Sequence, residues 1–343
     1  MNRANLETHM RRALRWAGCL SWVLASCGGP APAVDAARAD ASATDADTGV
    51  SPAEDAAPLD APDDRVVPDG SLRCSRSALR FRGSGVGDID RVKIPVDDPT
   101  NNAPGPPADV GATDFTIEFW LKGAAADNRA GAIRCGDNVD WIRGNIVIDR
   151  DRFSQDRKFG VSLGAGRVVW GVSGDRTGDR TVCASAVVLD DRWHHVAVQR
   201  RRRDGYLWIF VDGRLEAEGD GPDGDVSYPD DGVPGNHCGG PCLSSDPFLV
   251  LGAEKHDAGR EYPSFNGSID ELRISRTLRY ATTFTVAAEP WAVDSDTAAL
   301  YRFEEASGDA IVDSAGNASP GVRRYGGNPP GPDWSTDTPF RCP

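Results

Sequence analysis

Four apolar residues, Phe115, Ile117, Phe119 and Leu121, recur at every second position of one short segment, with Thr116, Glu118 and Trp120 between them and Lys122 after them. A period of two places successive side chains on opposite faces of a pleated strand, so this segment can bury one face and leave the other polar. Similar short runs follow at 158–163, 167–172, 193–200, 206–211, 248–251, 268–275 and 299–303, separated by Gly, Asp, Asn and Pro. No stretch of comparable length sustains a helical period, which confines helix to short pieces, such as one near residues 277–280. Asp212-Gly213 tolerates the positive φ of a two-residue turn, so 206–211 and 214–217 are expected to form a hairpin. Many short strands punctuated in this way predict an all-β chain, an antiparallel β-sandwich of the jelly-roll kind.

This texture begins near residue 71 and gives the domain its expected extent, 71–343. Upstream, residues 28–70 carry nine Asp and one Glu against Arg38 and Arg65, and hold no aromatic residue. Such a segment buries too little apolar surface to offset its ordering entropy, so 27–70 is expected to be a disordered tether. Residues 1–26 have the layout of an export signal. Arg3, Arg11, Arg12 and Arg15 precede a mainly apolar run, 16–25, shorter than the roughly 20 residues that a bilayer span needs. The cleavage region Leu24-Ala-Ser-Cys-Gly28 resembles the lipobox of bacterial lipoproteins. That resemblance implies lipidation of Cys27, and Gly28 in place of Asp implies an outer-membrane address. The expectation is an extracytoplasmic protein held to the membrane by its lipid anchor alone.

Export decides how the cysteines count. Cys19 leaves with the signal and Cys27 takes the lipid, so Cys74, Cys135, Cys183, Cys238, Cys242 and Cys342 remain. An even number in an oxidising compartment argues for three disulfides, and the sequence alone does not choose among the pairings. The working pairing is Cys74 with Cys342, Cys135 with Cys183, and Cys238 with Cys242. The first would tie the ends of the domain, and the last would close a small loop. A zinc site is the rival, but the spacing lacks two close Cys pairs. The net charge of −14 excludes a general nucleic-acid binder, which needs a basic face.

Three segments carry a family resemblance. Phe115-Thr-Ile-Glu-Phe-Trp-Leu-Lys122 is similar to an "F-T-I/V-E-x-W-V/I-K" strand. Trp193-His-His-Val-Ala-Val198 with Tyr206-Leu-Trp-Ile-Phe-Val-Asp-Gly213 is similar to "W-H-H-V-A-x … L-Y-V-D-G". Phe265-Asn-Gly-Ser-Ile-Asp-Glu-Leu-Arg-Ile-Ser275 is similar to "F-x-G-x-I-D-E-V-R-I". Their order over residues 78–303 resembles the laminin-G-like, concanavalin A-like jelly rolls in their bacterial form. The resemblance implies a glycan-binding or adhesion module, with an envelope protein as the other partner class. It also implies a calcium ion held by Asp88 or Asp90 with Asp270 opposite. The acidic loop Asp220, Asp223, Asp225, Asp230 and Asp231 is a rival calcium site, although it lacks the spacing of an EF-hand.

Candidate catalytic groups find little support. Glycoside hydrolysis needs two carboxyl groups about 5 to 10 Å apart across the scissile bond. Related glucanases place them on one strand as Glu-x-Asp-x-Glu, whereas Asp270 and Glu271 are adjacent and, on a regular strand, face opposite sides. Glu304-Glu305 has the same defect. His194 and His195 lie on opposite faces and cannot act together, and Trp193 is expected in the core or at its rim. Arg200–Arg203 reads as a solvated turn or an anionic-polymer site. The expected function is therefore non-catalytic binding, with a structural envelope protein or a jelly-roll glycoside hydrolase as alternatives. An exposed groove bearing aromatic residues such as Trp141, Trp170 or Tyr228 would favour sugar; a broad apolar patch would favour protein.

Overall fold

The alternating segment forms the middle strand of a sheet in the computed structural model, which describes residues 76–83, 91–98, 101–152, 155–230, 247–256, 258–316 and 318–341. The expected export signal and tether, residues 1–70, and the expected lipidation site Cys27 lie outside the described residues, as do Cys74, Cys238, Cys242, Cys342, Asp88 and Asp90. Sixteen strands are described: β1 (Ala78–Arg82), β2 (Arg91–Pro95), β3 (Phe115–Gly123), β4 (Asn145–Arg150), β5 (Lys158–Gly164), β6 (Arg167–Ser173), β7 (Asp179–Val187) and β8 (His194–Arg200). The remainder are β9 (Leu207–Val211), β10 (Arg214–Gly219), β11 (Phe248–Leu251), β12 (Asn266–Ser275), β13 (Thr297–Tyr301), β14 (Ala310–Ile311), β15 (Gly321–Arg324) and β16 (Asp333–Ser335).

Two eight-stranded antiparallel sheets result. One runs β10-β9-β8-β3-β12-β1-β16, with β13 also paired to β12; the other runs β14-β15-β2-β11-β4-β5-β6-β7. The Asp212-Gly213 hairpin forms as expected, with φ of 49° and 74° and Val211 opposite Arg214. Between the sheets, Phe115, Ile117, Phe119 and Leu121 meet Phe159, Val161, Val168 and Trp170, all buried. Phe115 lies 5.3 Å from the Phe159 ring and edge-on to Trp170 at 6.1 Å. Each such side chain contributes roughly 1.5–3 kcal/mol by leaving water, which is why strict alternation fixes the register.

The polar face of β3 is buried too, and this corrects one sequence expectation. No helix forms at 277–280. Instead the chain crosses the outside of the first sheet as an irregular strap. Arg279 N–H donates to Thr116 Oγ1 at 3.1 Å and Tyr280 N–H to Gln199 Oε1 at 2.9 Å, while Gln199 Nε2 donates to the Tyr280 carbonyl at 2.8 Å. Side chains of the sheet thus take the backbone groups that a helix would pair internally. Beneath the strap, Glu118 accepts from Arg273 and Tyr280 and meets His195 Nε2 at 3.2 Å. Burial alone would raise the Glu118 carboxyl, yet His195, Arg273 and Tyr280 together hold it below its ordinary value.

Strand β12 supplies a second correction. Its pairing with β3 slips between Asp270 and Arg273, and Glu271 takes a left-handed φ of 46°. This bulge sends Leu272, not Glu271, into the core after Ile269. Asp270 and Glu271 therefore both stay out of the interior between the sheets, where strict alternation would have put them on opposite faces. They remain buried. Burial and Glu271 push the Asp270 carboxyl up to about 9; burial pushes Glu271 up to about 7 against the pull of Arg302, 3.2 Å away.

The segment 124–144 covers the outside of the second sheet. The facing pair Gly160 and Gly171 forms a floor without side chains on which the Trp141 indole lies, and a Cβ on either glycine would overlap the ring. Gly136 and Thr181 exchange backbone hydrogen bonds of 2.8 Å, and Cys135 forms a disulfide with Cys183 on β7, the pairing expected for these two thiols. Asn128 Nδ2 donates to the Asn266 carbonyl at 2.6 Å, and Asn145 Oδ1 accepts from Ala130 N–H at 3.0 Å. The segment is thus pinned at five places.

Candidate functional site

Strand β3 ends at Gly123 where β12 begins, and Gly123 pairs with Gly267. At this end of the sandwich the pinned segment 124–144 faces the stretch 259–268. Between them lie two clefts. The larger, of about 620 Å³, is lined by Asp127, Arg129, Gly131, Arg143, Asn145 and Arg260, among others. The smaller, of about 400 Å³, is lined by residues including Lys122, Asp127, Asp191, Asn266, Ser268 and Asp337. Asp127 lines both, so the two clefts adjoin there and together are called the groove.

The groove is polar and built on fastened backbone. The Ile146 N–H donates to the Pro263 carbonyl at 2.8 Å, and Asn145 Nδ2 donates to the Ser264 carbonyl at 2.9 Å. In the smaller cleft Arg80 Nη2 donates to Asn266 Oδ1 at 2.7 Å. Asp337 accepts from Lys122 Nζ at 2.7 Å and from Trp193 Nε1 at 3.1 Å. Burial raises the Asp337 carboxyl less than these two donors lower it, so it is an anion at neutral pH. Trp193 is half-buried at the rim of the sandwich, one of the two positions expected for it. Donors and acceptors thus line the groove from its arginine end to its Asp337 end, an arrangement suited to a hydroxyl-rich ligand.

A different cluster has metal-ligand chemistry. Asp151, Glu254 and His256 place one ligand atom each within 4.8 Å of one another, beyond the end of β4 opposite to Asn145. His256 Nδ1 stands 3.1 Å from Glu254 Oε1 and 3.4 Å from Asp151 Oδ2, and Lys158 Nζ lies 2.9 Å from Asp151 Oδ1. Burial would raise the Asp151 carboxyl, but His256 and Lys158 hold it far below. Neighbouring Asp149 is pushed up by burial, Glu254 and Asp151. Calcium takes six to eight oxygen ligands. Two carboxylates, an imidazole and an ammonium ion already in place do not fit it; the mixed nitrogen and oxygen donors are nearer to those of a zinc-class ion.

The other sequence candidates disperse. Of the calcium set Asp88, Asp90 and Asp270, only Asp270 is described. It is buried, and its Oδ1 accepts from the Glu271 N–H at 2.9 Å. In the rival acidic loop, Asp225 caps Ser227 and pairs with Arg157, while Asp230 accepts from Gly105 N–H. These carboxylates fasten the loop to different partners. Asp231 lies outside the described residues. Arg200 does not belong to a solvated basic run: it is fully buried, with Nη2 donating to the carbonyls of Pro222 and Gly224. Arg201 is tied to Asp204 at 2.8 Å. Trp141, Trp170 and Tyr228 are buried and offer no ring to a sugar. His194 bridges Asp190 and Asp212, whereas His195 meets Glu118, so the two histidines do face apart. Sequence reasoning missed Arg129, Arg143, Arg260 and Asp337, whose loops are brought together only by tertiary contacts.

Comparison with known proteins places this geometry in context. The family model described as the concanavalin A-like lectin/glucanases superfamily, of laminin G type, matches residues 97–283. Similar solved structures include a Bacteroides ovatus protein provisionally assigned to carbohydrate binding, with 15% identity, 78% of this chain and 62% of that one covered, and a TM-score of 0.45. A heptameric SAP-like pentraxin from Limulus polyphemus has 12% identity, 61% and 80% coverage and a TM-score of 0.38. The LG4-5 domains of the mouse laminin alpha1 chain have 15% identity, 74% and 53% coverage and a TM-score of 0.38. The chain thus spans 62% of the length of the Bacteroides protein. No curated protein matches the chain in sequence. Among the described residues no helix is long and apolar enough to cross a membrane.

Proposed function

The chain belongs to the concanavalin A-like lectin/glucanases superfamily in its laminin G form, and on that premise we propose that it is a non-catalytic glycan-binding module tethered outside the cytosol. The observation that carries the reading is the groove of two clefts joined at Asp127. Its walls present guanidinium, ammonium and amide donors beside the carboxylate acceptors Asp127, Asp191 and Asp337, the pairing that sugar hydroxyls require. The large exposed hydrophobic residues Val187, Leu215, Val293, Val312, Val322 and Tyr325 do not line it, which favours glycan over a protein partner docked by apolar area.

The carboxyl groups support the non-catalytic reading. A glycosidase pairs a protonated carboxylic acid with an ionised carboxylate in one cleft. Here Asp337 is ionised, and the carboxyls raised by burial, Asp109, Asp149, Asp270, Glu271, Glu304 and Glu305, line neither cleft. A lipid on Cys27 and the acidic tether 27–70 would hold the module off the outer membrane, and a calcium ion at Asp88, Asp90 and Asp270 would be an assisting cofactor. The full chain should be applied to a glycan array with and without a chelator. Binding to a defined glycan class supports the reading, and its loss with chelator alone supports calcium assistance. Silence under both conditions would sink the glycan assignment.

A further inference from the structure

Independently of the glycan reading, we infer that Asp151, Glu254 and His256 hold a zinc-class divalent ion on the outer side of the second sheet, at the end of β4 far from Asn145. The set is more than a group of acids, because an imidazole nitrogen stands between two carboxylates. His256 Nδ1 lies 3.1 Å from Glu254 Oε1 and 3.4 Å from Asp151 Oδ2. Ligand atoms about 2.0–2.1 Å from a tetrahedral zinc ion stand about 3.3–3.4 Å from one another, close to both spacings. One ring nitrogen carries at most one proton and directs it to one carboxylate at a time, whereas an ion engages all three atoms together.

The local sequence places these ligands. Arg150 turns inward, its guanidinium 4.7 Å from the Phe159 ring and 5.9 Å from that of Tyr228, so alternation puts Asp149 and Asp151 on the outer side. Gly252, with φ of 89°, turns the chain out of β11, and Lys255 N–H then bonds to Asp149 Oδ2 at 2.8 Å. Asp149 Oδ1 accepts from Asp151 N–H at 2.6 Å, so one buried carboxyl group braces both ligand-bearing stretches.

The ligands are also aimed. Glu254 Oε2 accepts from His256 N–H at 2.7 Å, which turns Oε1 toward the imidazole. Lys158 Nζ stands 2.9 Å from Asp151 Oδ1, the oxygen other than the one nearest His256. Outer partners of this kind orient metal ligands before the ion arrives. The side chains of His256 and Glu254 are 1% and 5% exposed, and that of Asp151 12%, which leaves an edge for entry and for a water in the fourth position. One nitrogen and two oxygens suit zinc, whereas calcium needs six to eight oxygens. An ion here ties the turn after β4 to the stretch after β11.

The test is calorimetric titration of the full chain, stripped with EDTA and returned to chelator-free buffer, with zinc chloride. Zinc should bind at one equivalent and raise the melting temperature, and an excess of calcium chloride should not displace it. His256→Ala should weaken zinc binding by at least about a hundredfold and Glu254→Gln by at least about tenfold. Cobalt in place of zinc should give the visible bands of a four-coordinate ion without the charge-transfer band of a thiolate ligand, which identifies the donors in the parent chain even where a variant fails to fold. Absence of saturable zinc binding, a thiolate band, displacement by calcium, or parental affinity in a folded His256→Ala variant would each overturn the site. None of these outcomes bears on glycan binding, which the array decides.

Discussion

Arg273 on β12 donates through Nε to the Glu118 carboxylate on β3 at 2.9 Å, directly across the paired strands, and Glu118 has no solvent exposure. The carboxylate also meets His195 and Tyr280. Removing it strands a guanidinium and an imidazole in an apolar setting. Glu118→Ala should cost about 3–5 kcal/mol of stability, and Glu118→Gln less. Urea unfolding measures both, and a loss for the alanine variant no larger than that of an exposed residue would refute the arrangement.

His194 is held by Asp212 Oδ2 at 2.8 Å and by Asp190 Oδ1 at 2.9 Å, which raise its pKa above the ordinary 6.5, with the Asp212 bond the larger influence. The charged form is therefore favoured in the folded state. Its stabilisation is complete below the unfolded value near 6.5 and fades as pH rises through the higher folded value. Melting temperature followed from pH 6 to 9 should fall less in His194→Asn than in the parent; equal slopes would contradict the bridge.

Gly160 and Gly171 face each other across β5 and β6 beneath Trp141. Gly171→Ala drives a methyl group into the indole and should destabilise by about 1–3 kcal/mol. Pairing it with Trp141→Ala should relieve part of that loss. A double variant whose losses simply add would show that ring and glycine do not touch.

The Cys135–Cys183 disulfide closes a loop of 48 residues. In the chain-entropy picture that closure stabilises by about 4 kcal/mol. The Cys135→Ser/Cys183→Ser variant should lose a comparable amount, and amide exchange should rise across 124–144 first. Unchanged exchange in that segment would mean that the disulfide does not fasten the groove wall.

How far each feature could be read in advance follows from where its information lies. β3, β5, β6, β8 and β9 are legible because Phe115 to Leu121 and their counterparts each carry a full two-residue period. β4 is not, since Asn145, Asp149 and Arg150 break its apolar pattern to serve contacts outside the strand. The bulge at Glu271 is invisible because nothing within Asp270-Glu-Leu shows that Leu272 takes the core position. The groove is the least legible feature. Arg260 and Asp337 lie far along the chain from Lys122, Asp127 and Arg143, and only the strand order and the Trp141 clamp bring the three stretches to one end of the sandwich.

The most direct test of groove binding is a steric plug. Gly131 lines the larger cleft, and a Cβ there meets nothing within 4 Å, so a side chain can be added at this lining position without a clash at Cβ. Affinity of Gly131→Trp for the strongest array glycan, measured by calorimetry beside its melting temperature, should fall at least about tenfold while the melting temperature holds. Parental affinity in the plugged, folded protein would show that glycan binds elsewhere.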